Sequence, residues 1–120
     1  MYKKFSLLAI IISIALSSCS IFGRLISTTT ISPNNSFILG NNEHNRFTAT
    51  AKNVSKQKLD IFLQPLNGQP KLVQTLLPQE TAKLKVPGNT AIIIKNNSTD
   101  TVNVQLKVNG DTGLSMGYKN

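Results

Sequence analysis

The chain has 120 residues, with 13 Lys and Arg against five Asp and Glu, one histidine, one cysteine and no tryptophan. That length limits it to one small domain with a modest core. One histidine and one cysteine exclude the usual His- and Cys-rich zinc sets, and a disulfide within the chain would need a second thiol.

The first 19 residues have the three parts of a secretory signal: basic Lys3 and Lys4, an apolar run from Phe5 to Leu16, and the small-residue processing site Leu16-Ser17-Ser18-Cys19. As a helix the apolar run would span roughly 18 Å, short of the roughly 30 Å hydrocarbon core of a bilayer. Ser17, Ser18, Ser20, Gly23 and Arg24 interrupt any extension of it. Leu at −3, small residues at −2 and −1 and Cys at +1 resemble the lipobox of bacterial lipoproteins. The resemblance implies cleavage between Ser18 and Cys19 and a diacylglycerol, often with a third acyl chain, on Cys19. Two or three chains give stable anchoring where one does not. Ser20, with no Asp at that position, implies outer-membrane sorting if the host is Gram-negative. The expected organisation is a leader over residues 1–18, an acylated Cys19 with a tether over 19–36, and a domain over 37–120.

Within the tether, Ile26, Thr28 and Thr30 have the β-branched character of an edge strand, and Pro33-Asn34-Asn35 signals a turn. Phe37-Ile38-Leu39 is a short apolar run that docks on the core. From Arg46 onward the pattern is β almost throughout. Phe47, Ala49 and Ala51 alternate with polar residues, as do Leu59, Ile61 and Leu63, with Phe62 on the outward side. Asn67-Gly68 signals a hairpin into Leu72–Leu77. Ala82, Leu84 and Val86 alternate with Thr81, Lys83 and Lys85. Ala91–Ile94 is the most continuous apolar run and suits a central strand. Val102, Val104, Leu106 and Val108 alternate cleanly, and Leu114–Tyr118 adds a terminal strand. No 3.6-residue period is sustained, so the expected fold is an all-β, immunoglobulin-like antiparallel sandwich of about seven strands. Lys52, Asn53, Ser55 and Leu63 recur 43 positions later as Lys95, Asn96, Ser98 and Leu106. Two similar strand–turn–strand units, with Asn and Ser serving the turn, account for this repeat.

Catalytic signals are missing. His44 lies in a polar loop and is expected to be solvated. The carboxylates Glu43, Asp60, Glu80, Asp100 and Asp111 fall mostly in or beside turns and form no acid–base pair. No Gly-x-Ser-x-Gly elbow occurs. Asn109-Gly110-Asp111-Thr112-Gly113 lacks the carboxylate ladder of a calcium loop and suits a turn. The Asn-x-Ser triplets at Asn34, Asn53, Asn96 and Asn97 would suggest glycosylation only in a eukaryotic secreted protein. The expectation is a non-enzyme without cofactor or metal.

The formal charge of +8 suits anionic partners. Arg, the better bidentate phosphate ligand, occurs only at Arg24 and Arg46, and from Lys52 onward the lysines are single. This favours no specific nucleic acid. Lys83 and Lys85 share one strand face, and Lys52, Lys95 and Lys107 join them if their strands are neighbours. That stripe would bind a polyanion; a solvated surface is the alternative. Phe62 is a candidate protein contact. The expected function is a lipid-anchored envelope protein, held to the membrane by its acyl chains, that binds or scaffolds an envelope protein or anionic polymer. An envelope inhibitor or immunity-type protein against a toxin or hydrolase is the alternative.

Overall fold

A computed structural model describes residues 24–119. The leader, Ser18 and Cys19 lie outside the described residues. Nine strands follow in order: β1 Arg24–Ile31, β2 Ser36–Leu39, β3 Phe47–Asn53, β4 Leu59–Pro65, β5 Lys71–Leu76, β6 Thr81–Val86, β7 Thr90–Lys95, β8 Val102–Gly110 and β9 Met116–Lys119. They form a four-stranded sheet, β1-β8-β3-β6, and a five-stranded sheet, β5-β4-β7-β2-β9. Every pairing is antiparallel. Alternation explains the sandwich directly. Along β6 and β8 the odd-even pattern of exposed and buried residues is almost unbroken, so each strand turns one face inward.

The core is drawn from both inner faces. It runs from Ile31 through Phe37, Leu59, Ile61, Ile92 and Ile94 to Val108, all at most 3 % exposed. The inward residues named from the alternation of β3, β6 and β8 are all in it. β7 is the middle strand of its sheet, with Ile92 and Ile94 buried and Ile93 half-covered. That is the central strand expected from the apolar run.

The antiparallel all-β sandwich is the architecture expected, with nine strands where about seven were expected. The extra pairing comes from the segment before Phe47. Arg24–Ile31 is a full edge strand along β8, and Phe37-Ile38-Leu39 is a strand between β7 and β9. The connectivity also differs from an immunoglobulin order. Immunoglobulin sheets keep several sequential strands side by side; here β4 and β5 are the one sequential pair that shares a sheet edge-to-edge. The other connections cross between sheets. The order β1-β8-β3-β6 against β5-β4-β7-β2 is that of a jelly roll, with β9 added at one edge. Period-2 patterning reports which side of a strand is buried and carries no information on which strand lies beside it.

The sequence repeat has a counterpart in this topology. Replacing β1–β4 by β5–β8, and the reverse, converts the order β1-β8-β3-β6 into β5-β4-β7-β2. The turns obey the same relation. Before β2, Asn35 N–H donates to Ser32 O across Pro33 and Asn34 (φ 57°); before β6, Glu80 N–H donates to Leu77 O across Pro78 and Gln79 (φ 66°). Pro in the second position and a positive φ in the third mark a type II turn.

Asn96, just after β7, and Asn53, at the end of β3, both fully buried, tie the Pro33 and Pro78 turns respectively to the connections that follow β7 and β3. Asn53 Nδ2 donates to Gln57 O and Leu76 O, and its Oδ1 accepts from the amide and hydroxyl of Ser55. Asn96 Nδ2 donates to Ile31 O, Ser32 O and Asp100 O, and its Oδ1 accepts from the amide and hydroxyl of Ser98. The Asn-x-Ser spacing at these two sites is a turn device.

Candidate functional site

Two surfaces stand out, one on each sheet. The outer face of the four-stranded sheet is basic. Register places Lys83 beside Thr50 and Thr50 beside Lys107. One step along, Lys85 lies beside Thr48, Thr48 beside Asn109, and Asn109 beside Arg24. On the other side, Thr81 lies beside Lys52 and Lys52 beside Gln105. Adjacent strands are about 4.8 Å apart, so the cations form a patch separated by Thr, Asn and Gln. None of the five carboxylates occupies these rows: Asp60 lies on β4 of the other sheet, and Glu43, Glu80, Asp100 and Asp111 lie in connections.

Lys52, Lys83, Lys85 and Lys107 are therefore neighbours. Lys95 is not among them: it ends β7 on the other sheet. The alternation that placed it on an outward face does not distinguish one sheet's outer face from the other's. Arg24, which the sequence reading assigned to no face, completes the patch from the edge strand.

The outer face of the five-stranded sheet is different. Phe62 pairs with Ile93, and Ile93 with Ile38. All three point outward and are half-buried, and they form the floor of a concavity of about 430 Å³. A register shift between Ile61 and Phe62 brings Leu72 of β5 opposite Phe62, extending the apolar row. Lys95 and Lys119 line one side, both opposite Ser36. Phe62 faces outward as the sequence suggested. Its partner Ile93 lies on the partly covered face of the central strand, whereas Ile38, in a run expected to dock on the core, points outward while Phe37 and Leu39 point in.

His44, expected in solvent, is 8 % exposed. The loop carrying it folds over the turn before β7: His44 N–H donates to Asn89 Oδ1, and Asn89 N–H donates to His44 O, both at 3.0 Å. Its Nδ1 lies 2.6 Å from Asn45 O, and Thr90 N–H donates to Nε2 at 3.2 Å. Gly40 (φ 86°) lets this ring approach, since a Cβ there would stand 3.2 Å from Nε2. His44 is thus a structural clamp between two connections.

Asp111 accepts from Asn45 N–H and Gly113 N–H, each at 2.8 Å. These backbone hydrogen bonds, that of Asn45 foremost, hold its carboxyl below the usual carboxylate range. Both oxygens serve the loop. Among the described residues no group of three or more His, Cys, Asp or Glu is placed to hold a metal ion.

No protein-family model matches the chain, and no curated protein matches it. Among solved structures it is similar to the crystal structure of Yersinia pseudotuberculosis-derived mitogen, at 17 % identity and a TM-score of 0.47. That match covers 75 % of this chain and 87 % of that one.

Proposed function

We propose that the protein is a lipid-anchored component of the bacterial cell envelope, attached through Cys19, whose sandwich binds an anionic envelope polymer without chemically altering it. The basic patch of Arg24, Lys52, Lys83, Lys85 and Lys107 carries the reading. It is a five-cation face whose strand rows hold no carboxylate. Attraction at such a face comes from many weak contacts to a repeating charge, and salt screens it over about 8–10 Å near physiological ionic strength. The lysines favour delocalised binding over a fixed bidentate geometry. The lipobox supports placement at a membrane surface, where such polymers are at hand.

The test is retention on an immobilised acidic polysaccharide as salt is raised. The protein should elute at moderate salt, and Lys83→Glu with Lys85→Glu should weaken binding at least tenfold. Binding indifferent to both salt and charge reversal would exclude the reading.

A further inference from the structure

Three strands of the five-stranded sheet break their alternation in the same way. Phe37-Ile38-Leu39, Ile61-Phe62-Leu63 and Ile92-Ile93-Ile94 are continuous apolar triplets. Their central residues all point away from the core, and the tertiary register makes them direct neighbours: Phe62 beside Ile93, Ile93 beside Ile38. Alternating strands expose polar residues on a solvated face. Three apolar exceptions in one row make a continuous strip about 10 Å long at ordinary strand spacing. Leu72, 52 % exposed, lengthens it by one strand.

One row along the strands the chemistry changes. Ser36 stands between Lys95 and Lys119, each its register partner, so a hydroxyl is flanked by two ammonium groups. Asp60 is the other neighbour of Lys95. Its two oxygens accept from the Thr75 hydroxyl and the Asn97 amide, at 3.0 Å each, and Asp60 is not among the residues that line the groove.

We propose that this groove binds a free fatty acid, its chain lying on Ile38, Ile93 and Phe62 and its carboxylate over Ser36 between Lys95 and Lys119. The volume, about 430 Å³, falls in the range of small-molecule sites, about 300–1,000 Å³. Two apolar chains of a phospholipid would overfill it. The floor has one aromatic ring and otherwise aliphatic side chains, which suits an acyl chain better than a sugar ring. The lysine pair supplies charge complementarity to one anionic head. A stable protein interface would bury roughly 800 Å² on each partner, far beyond this strip.

The experiment uses residues 20–120, which contain both sheets and a core complete from Ile31 to Val108. Dodecanoate, kept below its micellar concentration, is titrated against the protein and followed by backbone amide NMR shifts. Saturable binding centred on Ser36, Ile38, Phe62 and Ile93 is expected. Lys95→Glu with Lys119→Glu should weaken it at least tenfold, as should Phe62→Ser; Ile93→Ser serves if the Phe62 variant fails to fold. Dodecyl maltoside, with a similar chain and no charge, should bind at least tenfold more weakly. Lys83→Glu with Lys85→Glu should leave dodecanoate binding unchanged, which separates this site from the basic face. Absence of saturable binding overturns the proposal. So does a response at these residues to phosphatidylglycerol vesicles but not to monomeric dodecanoate, or shifts that follow protein concentration alone, which would mark a self-association face.

Discussion

At the residue scale, much of the fold's specificity rests on a few buried polar side chains. Asn53 and Asn96 are fully buried, and their amides donate to buried carbonyls beside a turn. Truncating either removes the side-chain donor to carbonyl groups such as Leu76 O or Ile31 O and leaves a cavity. Each unsatisfied buried group costs about 1–3 kcal/mol. Asn53→Ala and Asn96→Ala should each lower unfolding stability in urea by about 3 kcal/mol. Ser55→Ala, which removes a part-buried hydroxyl that donates to Asn53 Oδ1 and accepts from Gln57 N–H, should cost less, about 1 kcal/mol.

Asp111 gives a pH signature at the same scale. Its folded-state carboxyl ionises below the unfolded value because two backbone amides prefer the charged form. Its contribution is therefore fully present above the unfolded value and is lost as pH falls through the lower, folded value. Asp111→Asn should flatten the loss of stability as pH falls through and below the usual carboxylate range, measured by urea unfolding at each pH.

At the scale of elements, β7 separates the two faces of one strand. Ile92 and Ile94 are 1 % exposed and belong to the core, whereas Ile93 is half-buried on the outer face. Ile92→Ala or Ile94→Ala should cost about 2–5 kcal/mol, because a cavity remains beneath the sheet. Ile93→Ala should cost roughly 1 kcal/mol, because solvent or a neighbour can fill the space. Equal effects, measured by thermal unfolding, would contradict the assigned faces. The Pro33 and Pro78 turns belong here too. Each crosses between sheets, and the Asn that seals it comes from the turn after β7 or β3, far along the chain.

At the scale of the molecule, the lipobox-like motif at Cys19, the basic face and the apolar groove make separable predictions. Cys19→Ala should shift the protein out of the lipid-modified membrane pool, read by metabolic labelling with a palmitate analogue. Lys107→Glu, in the middle row of the basic patch, should weaken retention on an acidic polymer and reduce its salt dependence. Lys95→Glu carries the same charge change on the opposite sheet and should leave that retention nearly intact. Equal effects would mean that net charge, and not the patch, governs binding.

The inward face of nearly every strand could be read from the sequence, because the side-chain direction in a pleat depends only on position along that strand. The Cys19 motif and the poverty of catalytic groups are likewise local facts of the chain. Sheet membership is not local. Whether Lys95 joins Lys83 or Phe62, whether Ile38 meets Ile93, and whether His44 meets solvent or Thr90 depend on pairings between strands and loops tens of residues apart. Those pairings arise from burial of all the apolar faces together, so only the tertiary structure decided them. It split the lysines between two surfaces and set three apolar triplets from distant parts of the chain side by side.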